Sequence, residues 1–398
     1  RCAKGYNPSV MPFQVSLETR ATDISTTTAG GMNVSFKRIF SNQFGFMRGY
    51  YHTWPDDRPY KNNIGSGWSH NFNMHLRVSR YRGAIQYMDE DGNAKTYILH
   101  PEIIDDNYDI YLREATADYE FHGQEYKGLA WEQGTVIKRH KVSGFYWMTF
   151  PDGKAYYFYH ETEWGDEGEG EPEEYGDHWA RLGIIQNASG AQIVLDYDSL
   201  ERLQYVSFPS NDGRYLQFYY HPNTNRIAWI QLRTASTIIE SVYYVYDANL
   251  NLVWVHRGNA QNPNNDINTY TYGSDPNVQY SYYMASMTDA ADITTTMTYT
   301  YASFGQWGDM ADTLLLERGN SLKTYYVRST TNDNTTVMNL DENDDPVNKI
   351  VYTFDWYAGN INYVSFYLSP TSYNRNTWRY YYPNDHDHFL TQVNRPTD

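Results

Sequence analysis

The stretch that decides the fold is Tyr246-Asp247-Ala248-Asn249-Leu250-Asn251-Leu252-Val253-Trp254-Val255. An aromatic residue leads into a polar turn, and apolar residues then return along what we predict to be the neighbouring strand. The same order occurs in Tyr197-Asp198-Ser199-Leu200-Glu201-Arg202-Leu203-Gln204-Tyr205-Val206. Each unit is predicted to be one β-hairpin with little core of its own, which is stable only when neighbouring hairpins stack on it.

The aromatic residue that opens the turn recurs along the second half of the chain, and we name these residues the anchors. They are Tyr197, Tyr220, Tyr246, Tyr272, Tyr301, Tyr326, Phe354 and Tyr382. Successive anchors are 23 to 29 residues apart. A period of about 20 to 50 residues is typical of repeat architectures, so we predict an array of stacked hairpins.

The first half of the chain also has the pattern of strands rather than helices. Residues 85–88 and 95–99 flank a turn at 89–93, and residues 145–150 and 155–159 flank a turn at 151–153. Both turns contain Asp-Gly, a strong hairpin signal. We predict an all-β fold with an N-terminal β domain at 1–160, an acidic linker or loop at 161–178 and a hairpin array at 179–398. Calcium binding by the nine carboxylates between residues 161 and 177 stays open.

Composition excludes several classes of protein. The 398 residues include 68 aromatic side chains, 41 of them Tyr, which is too many for a disordered chain. The net charge of −17 argues against general nucleic-acid binding, which needs a basic surface. No apolar run is long enough for a membrane helix.

The only cysteine, Cys2, is expected in an unpaired terminus, or bonded to a neighbouring chain. The Arg1 start indicates a processed or excised chain, and Asn-x-Ser/Thr sequons are compatible with export.

The Tyr-Asp units resemble the YD repeats of the Rhs/teneurin/Tc-toxin family. The first half agrees, with Thr22-Asp23-Ile24, Phe36-Lys37-Arg38-Ile39-Phe40-Ser41-Asn42 and Gly65-Ser66-Gly67-Trp68-Ser69-His70-Asn71. These segments resemble the family's opening region, in which an R-x-Y-N-S-like strand precedes a G-x-G-W-x-H-like strand, and Phe40 stands where the family usually has Tyr. The resemblance covers most of the chain from about residue 20. It implies structural roles for five motif residues: Arg38, Gly65, Gly67, Trp68 and His70.

The resemblance implies a spiralling sheet that forms a hollow shell, often around a toxic C-terminal polypeptide, in proteins that are secreted or displayed on cell surfaces. This sequence has about eight units and reaches Asp398 without the DPxGxxG-like segment at which many relatives cleave themselves. A closed shell and self-processing are therefore not expected. A fragment, a half-shell and a shorter relative that assembles with copies of itself all stay open.

Three patterns have a chemical interpretation, and for each the structural one is preferred. Ser69-His70 could suggest a nucleophile and base, but adjacent strand residues point to opposite faces. The two histidines of 384–388 could share a transition metal, although a polar turn explains the same letters. A glycosidase needs two facing carboxylates, and the sequence singles out no pair.

We therefore expect a non-enzymatic, extracellular or cell-surface scaffold with no cofactor and no metal. It would enclose or present a protein cargo, or self-assemble into a fibre, because open arrays end in unpaired strands. The first alternative is a carbohydrate-binding adhesin that uses exposed tyrosines. The second is a glycan hydrolase.

Overall fold

The computed structural model describes residues 9–11, 16–27, 32–41, 64–65, 67–78, 84–90, 94–99, 105–113, 119–121, 124–126, 134–159, 178–208, 213–258, 268–273, 284–303, 309–319, 322–329, 334–354, 361–367, 375–381 and 392–394. These residues form 30 strands and no helix. Accordingly, this part of the chain contains no helix long and apolar enough to cross a membrane.

The first four strands form a separate antiparallel sheet, which we call the N-terminal sheet, in the order β1-β2-β3-β4. Its strands are β1 (Ser9–Met11), β2 (Ser16–Thr27), β3 (Asn33–Ser41) and β4 (Trp68–His70). In the first part of β3 alternate residues are buried, namely Val34, Phe36 and Arg38, and the rest of the strand to Ser41 is buried throughout. One face of this sheet is thus turned against another layer, as a period of two along a strand requires.

A second, much longer antiparallel ladder begins at residue 75. Its first part comprises β5 (His75–Val78), β6 (Ala84–Met88), β7 (Ala94–Leu99), β8 (Tyr108–Arg113), β11 (Val136–His140), β12 (Tyr146–Thr149), β13 (Ala155–Phe158) and β14 (His178–Gln186). A short hairpin of β9 (Tyr119–Phe121) and β10 (Gln124–Tyr126) forms a sheet of its own. The pairings of β6 with β7 and of β12 with β13 confirm the two hairpins predicted in this half.

The ladder continues through the strands that carry the anchors, which we call the array. These strands are β15 (Gln192–Tyr197), β16 (Leu203–Ser207), β17 (Tyr215–Tyr220), β18 (Ile227–Arg233), β19 (Ile238–Tyr246), β20 (Leu252–Arg257), β21 (Asn268–Tyr272), β22 (Met284–Thr288), β23 (Thr294–Ser303), β24 (Asp309–Arg318), β25 (Leu322–Ser329), β26 (Asn334–Leu340), β27 (Pro346–Phe354), β28 (Ile361–Tyr367), β29 (Arg375–Tyr381) and β30 (Gln392–Asn394). Each pairs with the next, which confirms the prediction of stacked antiparallel hairpins.

The strand β14 joins two parts of the ladder. Its residues 178–181 pair with β5, and its residues 184–186 pair with β15. The eight strands from β5 to β14 therefore make the first turn of a spiralling sheet, and the array grows onward from the other half of the same strand. The strands on either side of the predicted boundary at residue 160, β13 and β14, pair with each other, and the domain division stays a prediction from sequence. Of the predicted linker only residue 178 is described.

Five turns between strands share one construction. An Asp or Asn side chain accepts, through Oδ1, the backbone N–H groups two and four residues later, at 2.8–3.1 Å. The capping residues are Asn187, Asp198, Asp247, Asp289 and Asp341. The residue three positions after each cap has a positive φ, and four of these are not glycine: Glu201, Leu250, Asp292 and Asp344. The side-chain cap thus holds a left-handed turn that most residues avoid.

Candidate functional site

Most anchors lie at a β-bulge. The strand register shifts immediately before Tyr197, Tyr220, Tyr246, Tyr272, Tyr301 and Phe354. A bulge adds one residue to one strand and re-aims the side chains beside it. In each case the extra residue lies on the returning strand, opposite the anchor. The sequence spacing located the anchors but did not show these bulges.

Four anchors bind the preceding hairpin through their hydroxyl groups, which donate to backbone carbonyl oxygens. The pairs are Tyr197 with Leu182 at 2.7 Å, Tyr220 with Leu203 at 2.7 Å, Tyr246 with Ile227 at 2.8 Å and Tyr272 with Leu252 at 2.8 Å. Burial raises the pKa of all four phenols well above the ordinary value of 10.0. They are therefore neutral donors at any physiological pH, and each one fastens its unit to the previous one.

Arginine side chains cover two of these rings. The guanidinium of Arg181 lies 4.6 Å from the ring centroid of Tyr197, and that of Arg202 lies 4.3 Å from that of Tyr220. Each arginine directly precedes the residue whose carbonyl accepts the hydroxyl. Two consecutive residues therefore hold each tyrosine: the arginine makes the cation–π contact with the ring, and the next residue accepts the hydrogen bond of the hydroxyl.

The later anchors differ from this arrangement. Tyr326 lies within β25 without a register shift, packs partly buried against the core, and has a pKa raised to about 12 by burial. For Tyr301 and Phe354 the structure describes the backbone at the bulge but not the side chain. Tyr382 lies outside the described residues.

Two motif glycines let other groups approach closely. At Gly67, with φ +76°, a Cβ atom would lie 2.6 Å from Cε2 of Phe40, so a side chain here would displace that ring. At Gly65, with φ +121°, a Cβ atom would lie 3.0 Å from the backbone nitrogen of Leu252. Gly65 is therefore a point where the segment before β4 packs directly on the backbone of the array.

A buried ion pair lies where the N-terminal sheet meets the array. Arg38 donates through Nε and Nη2 to the two carboxylate oxygens of Asp23, at 2.5 and 2.9 Å. The hydroxyl of Tyr244 donates to the same carboxylate at 2.7 Å, and Arg38 Nη1 donates to the hydroxyl of Tyr270 at 2.9 Å. Arg257 donates to the backbone oxygen of Asp23 at 3.0 Å. Side chains from both sheets thus supply hydrogen-bonding partners to the Arg38–Asp23 pair, and a buried charged pair requires such partners.

Trp68 extends this contact toward the next unit. Its indole N–H donates to the hydroxyl of Tyr272 at 2.8 Å, and its ring lies 5.0 Å from the guanidinium of Arg38. Phe36 packs on Phe218 with ring centroids 5.6 Å apart. We call the whole contact the docking interface; it consists of Asp23, Phe36, Arg38 and Trp68 on the N-terminal sheet and Phe218, Tyr244, Tyr270 and Tyr272 on the array.

His70 borders the docking interface from β4, directly opposite Arg38 in the strand register. Its ring lies 5.2 Å from Phe36, and its buried Nδ1 meets no hydrogen-bonding partner among the described residues. Burial lowers its pKa from 6.5 to about 3, so the ring is neutral. Ser69 lies on the opposite face, where its hydroxyl accepts from the amide of Asn73 at 3.1 Å, so the two side chains of this pair do not meet.

The remaining candidate sites from the sequence are the possible metal sites and Cys2. No group of three or more His, Cys, Asp and Glu side chains is arranged to hold a metal ion within the ranges that the structure covers. Cys2, the acidic segment 161–177 and the histidine run 384–388 lie outside those ranges. Their interpretation stays a prediction from sequence.

The outer face of the array carries a row of aromatic rings, of which His256 is buried and the other three are partly exposed. Tyr219, Trp229, Tyr243 and His256 stand opposite one another across β17–β20. Tyr219 and Trp229 stack with centroids 4.7 Å apart at 19°, and Tyr243 and His256 with centroids 5.2 Å apart at 10°. Rings stacked at the spacing of neighbouring strands cover each other's faces and leave their edges toward solvent. The alternative of a glycan-binding surface stays a prediction from sequence.

Sequence reasoning missed several residues of the docking interface. Asp23 is the extra residue of a bulge between Thr22 and Ile24, which turns its side chain toward Arg38. Tyr244 and Tyr270 each lie two residues before an anchor, and Phe218 does too. That recurring position was the available signal, because residues two apart on a strand share one face.

Comparisons with known proteins match part of the sequence and the chain as a whole. The family described as "Domain of unknown function (DUF6531)" matches residues 17–97. No curated protein matches the sequence. Among solved structures, the Tc holotoxin pore of Photorhabdus luminescens is 12% identical with a TM-score of 0.22, over 94% of this chain and 26% of that one.

Two further structures are similar at the same level. The N-terminal domain of the effector SpvB from Salmonella typhimurium strain LT2 is 11% identical with a TM-score of 0.24, over 83% of this chain and 97% of that one. The TcdB2–TccC3–Cdc42 complex is 10% identical with a TM-score of 0.22, over 92% of this chain and 22% of that one. The chain spans about a quarter of the toxin chains it matches. Similarity at this level does not establish a shared function.

Proposed function

We propose that this chain is a non-enzymatic structural scaffold, secreted or displayed at the cell surface, that holds polypeptide against the inner face of its spiralling sheet. One observation carries the proposal. An apolar row on the inner face continues past the region that the N-terminal sheet covers, and there its side chains become partly exposed.

The row follows the strand register across five strands. Leu314, Tyr326, Val337, Ile350 and Phe366 stand opposite one another from β24 to β28. Leu314 is fully buried in the core, whereas Phe366 at the far end is 40% exposed. An apolar face of this kind is typical of a surface that binds another polypeptide.

Two forms of scaffold fit this surface. The face could hold a separate protein cargo, or it could pack on a second copy of the chain and so lead to a fibre. In both forms the partner is protein, because the side chains of the row are apolar or phenolic and none carries a charge. No cofactor enters either form.

Sedimentation velocity of the whole chain over a range of concentrations tests the proposal. We expect concentration-dependent association that the Phe366→Glu variant reduces, because a carboxylate at the exposed end of the row must lose water when the face is covered. Val347→Glu is the control, since Val347 is an exposed apolar residue at the start of β27 that is not part of the row.

Two outcomes would count against the proposal. A strictly monomeric chain at every concentration would remove the self-assembling form and leave only a separate cargo. Substrate turnover that depends on one pair of carboxylates would overturn the non-enzymatic character altogether.

A further inference from the structure

In a repeat array similar units present similar surfaces, so the N-terminal sheet could pack on the array at more than one position. The residues two positions before the anchors in the sequence are Leu195, Phe218, Tyr244, Tyr270, Tyr299, Thr324, Tyr352 and Tyr380. Three of them, Phe218, Tyr244 and Tyr270 from successive units, contact the N-terminal sheet at Phe36, Asp23 and Arg38. Some feature must select these units over their neighbours.

We propose that the buried Arg38–Asp23 pair sets this register, by requiring tyrosine hydroxyls in two successive units and a ring without a hydroxyl in the unit before them. Asp23 accepts from Tyr244, and Arg38 donates to Tyr270. Loss of either partner leaves a buried charged group short of a hydrogen bond, which is costly. This role in register is the best attested use of buried polar groups, and it does not depend on the proposed function.

A shift of the N-terminal sheet by one unit fails in both directions. One unit toward the N-terminus would bring Phe218 to Asp23, and phenylalanine has no hydroxyl to donate. One unit toward the C-terminus would bring Tyr244 to the place where Phe36 now packs on Phe218. A buried hydroxyl would then point into ring contacts without a partner. The order Phe218, Tyr244, Tyr270 therefore specifies one docking position for the N-terminal sheet on the array.

The double variant Phe218→Tyr/Tyr270→Phe tests this inference, because it moves the two tyrosines one unit toward the N-terminus without changing composition. Spin labels at Ser25→Cys and Ala248→Cys, both exposed positions, report the distance between the N-terminal sheet and the array in a Cys2→Ser background. We expect the population with the native distance to fall about five- to hundredfold. A docked sheet shifted by one hairpin would be displaced by about 10 Å, so the distance between the labels would change by up to that amount.

The control is Tyr197→Phe, which removes an anchor hydroxyl whose hydrogen bond lies away from the docking interface; the distance should not change. An unchanged distance distribution in the double variant would overturn the inference. If the double variant does not fold, amide hydrogen exchange of the single variant Tyr270→Phe tests the inference instead. Amides of β2–β4 should lose at least about fivefold more protection than those of β15–β18, and equal loss in both regions would overturn the inference.

Discussion

The units under the N-terminal sheet and the units after β24 have the same strand pattern but different burial. Under the sheet, Leu216, Ile230 and Leu252 are fully buried. After β24, Val337 and Ile350 occupy the same inner face and remain partly exposed. A hairpin of this array therefore does not bury its own apolar side chains; a second layer does, and where the described residues provide none, the face stays open.

A buried ion pair under the N-terminal sheet and a partly exposed one at the end of β24 provide the sharpest test of this difference. Arg38→Met should lower the free energy of unfolding by about 3–5 kcal/mol, because it leaves the carboxylate of Asp23 buried without its cation. Arg318→Met removes the ion pair with Asp289, which is partly open to solvent, and should cost less than about 1 kcal/mol. Urea denaturation of both variants measures the values. Equal losses would contradict the distinction between the two regions.

Truncating matched isoleucines compares packing directly. Ile230→Ala should cost about 2–5 kcal/mol, since Ile230 is fully buried and the truncation leaves a cavity. Ile350→Ala should cost much less, because part of the Ile350 side chain already contacts water. Denaturation midpoints report both. A loss at Ile350 as large as that at Ile230 would mean that another layer covers the later units.

The pH dependence of stability should originate in the covered region, at His70. Its pKa is about 3 in the folded chain and 6.5 when exposed, so the unfolded state takes up a proton first as the pH falls. The stability that neutral His70 contributes is fully present above pH 6.5 and is lost progressively between pH 6.5 and 3, by about 2 kcal/mol at pH 5. Denaturation at several pH values should show this slope.

The His70→Gln variant is the control for the pH effect, because glutamine stays neutral throughout that range. Its stability should change less between pH 7 and pH 5 than that of the unmodified chain. A slope of the same size in the variant would assign the effect to other groups.

Removing one anchor hydroxyl should have a smaller effect that again differs between the regions. Tyr220→Phe deletes the hydrogen bond to the carbonyl of Leu203 and should cost about 1 kcal/mol. Tyr326→Phe should cost almost nothing, since no hydrogen bond of its hydroxyl is seen among the described residues. Thermal or urea denaturation separates the two; equal costs would mean that both hydroxyls are bonded alike.

The smallest expected effect is a gain in stability at the turns. Leu250→Gly should stabilise by about 0.5–1 kcal/mol, because leucine at φ +63° is strained and glycine is not. Asp344→Gly should gain less, since aspartate tolerates this conformation better. A loss of stability at Leu250 would show that its side-chain packing outweighs the strain.

The sequence predicted the local parts of this structure and missed the contacts between distant segments. Alternation and turn residues around Asp198 and Asp247 predicted the hairpins, because strand period and side-chain caps are local properties. The period predicted an anchor such as Tyr246 but not its bulge. Asp23 and Tyr244 are 221 positions apart, and no local pattern brings such residues together. The docking interface therefore required the structure.

The double pairing of β14 has a consequence for how a nascent chain acquires this structure. His178 pairs with Val78, which ribosomes deliver one hundred positions earlier. That contact closes a long loop, a step that is slow in proteins of high contact order. Until β14 pairs with it, strand β5 has an unpaired edge. Strands of neighbouring nascent chains could pair with that edge instead. The yield of native protein should therefore depend on how quickly β14 emerges after β5.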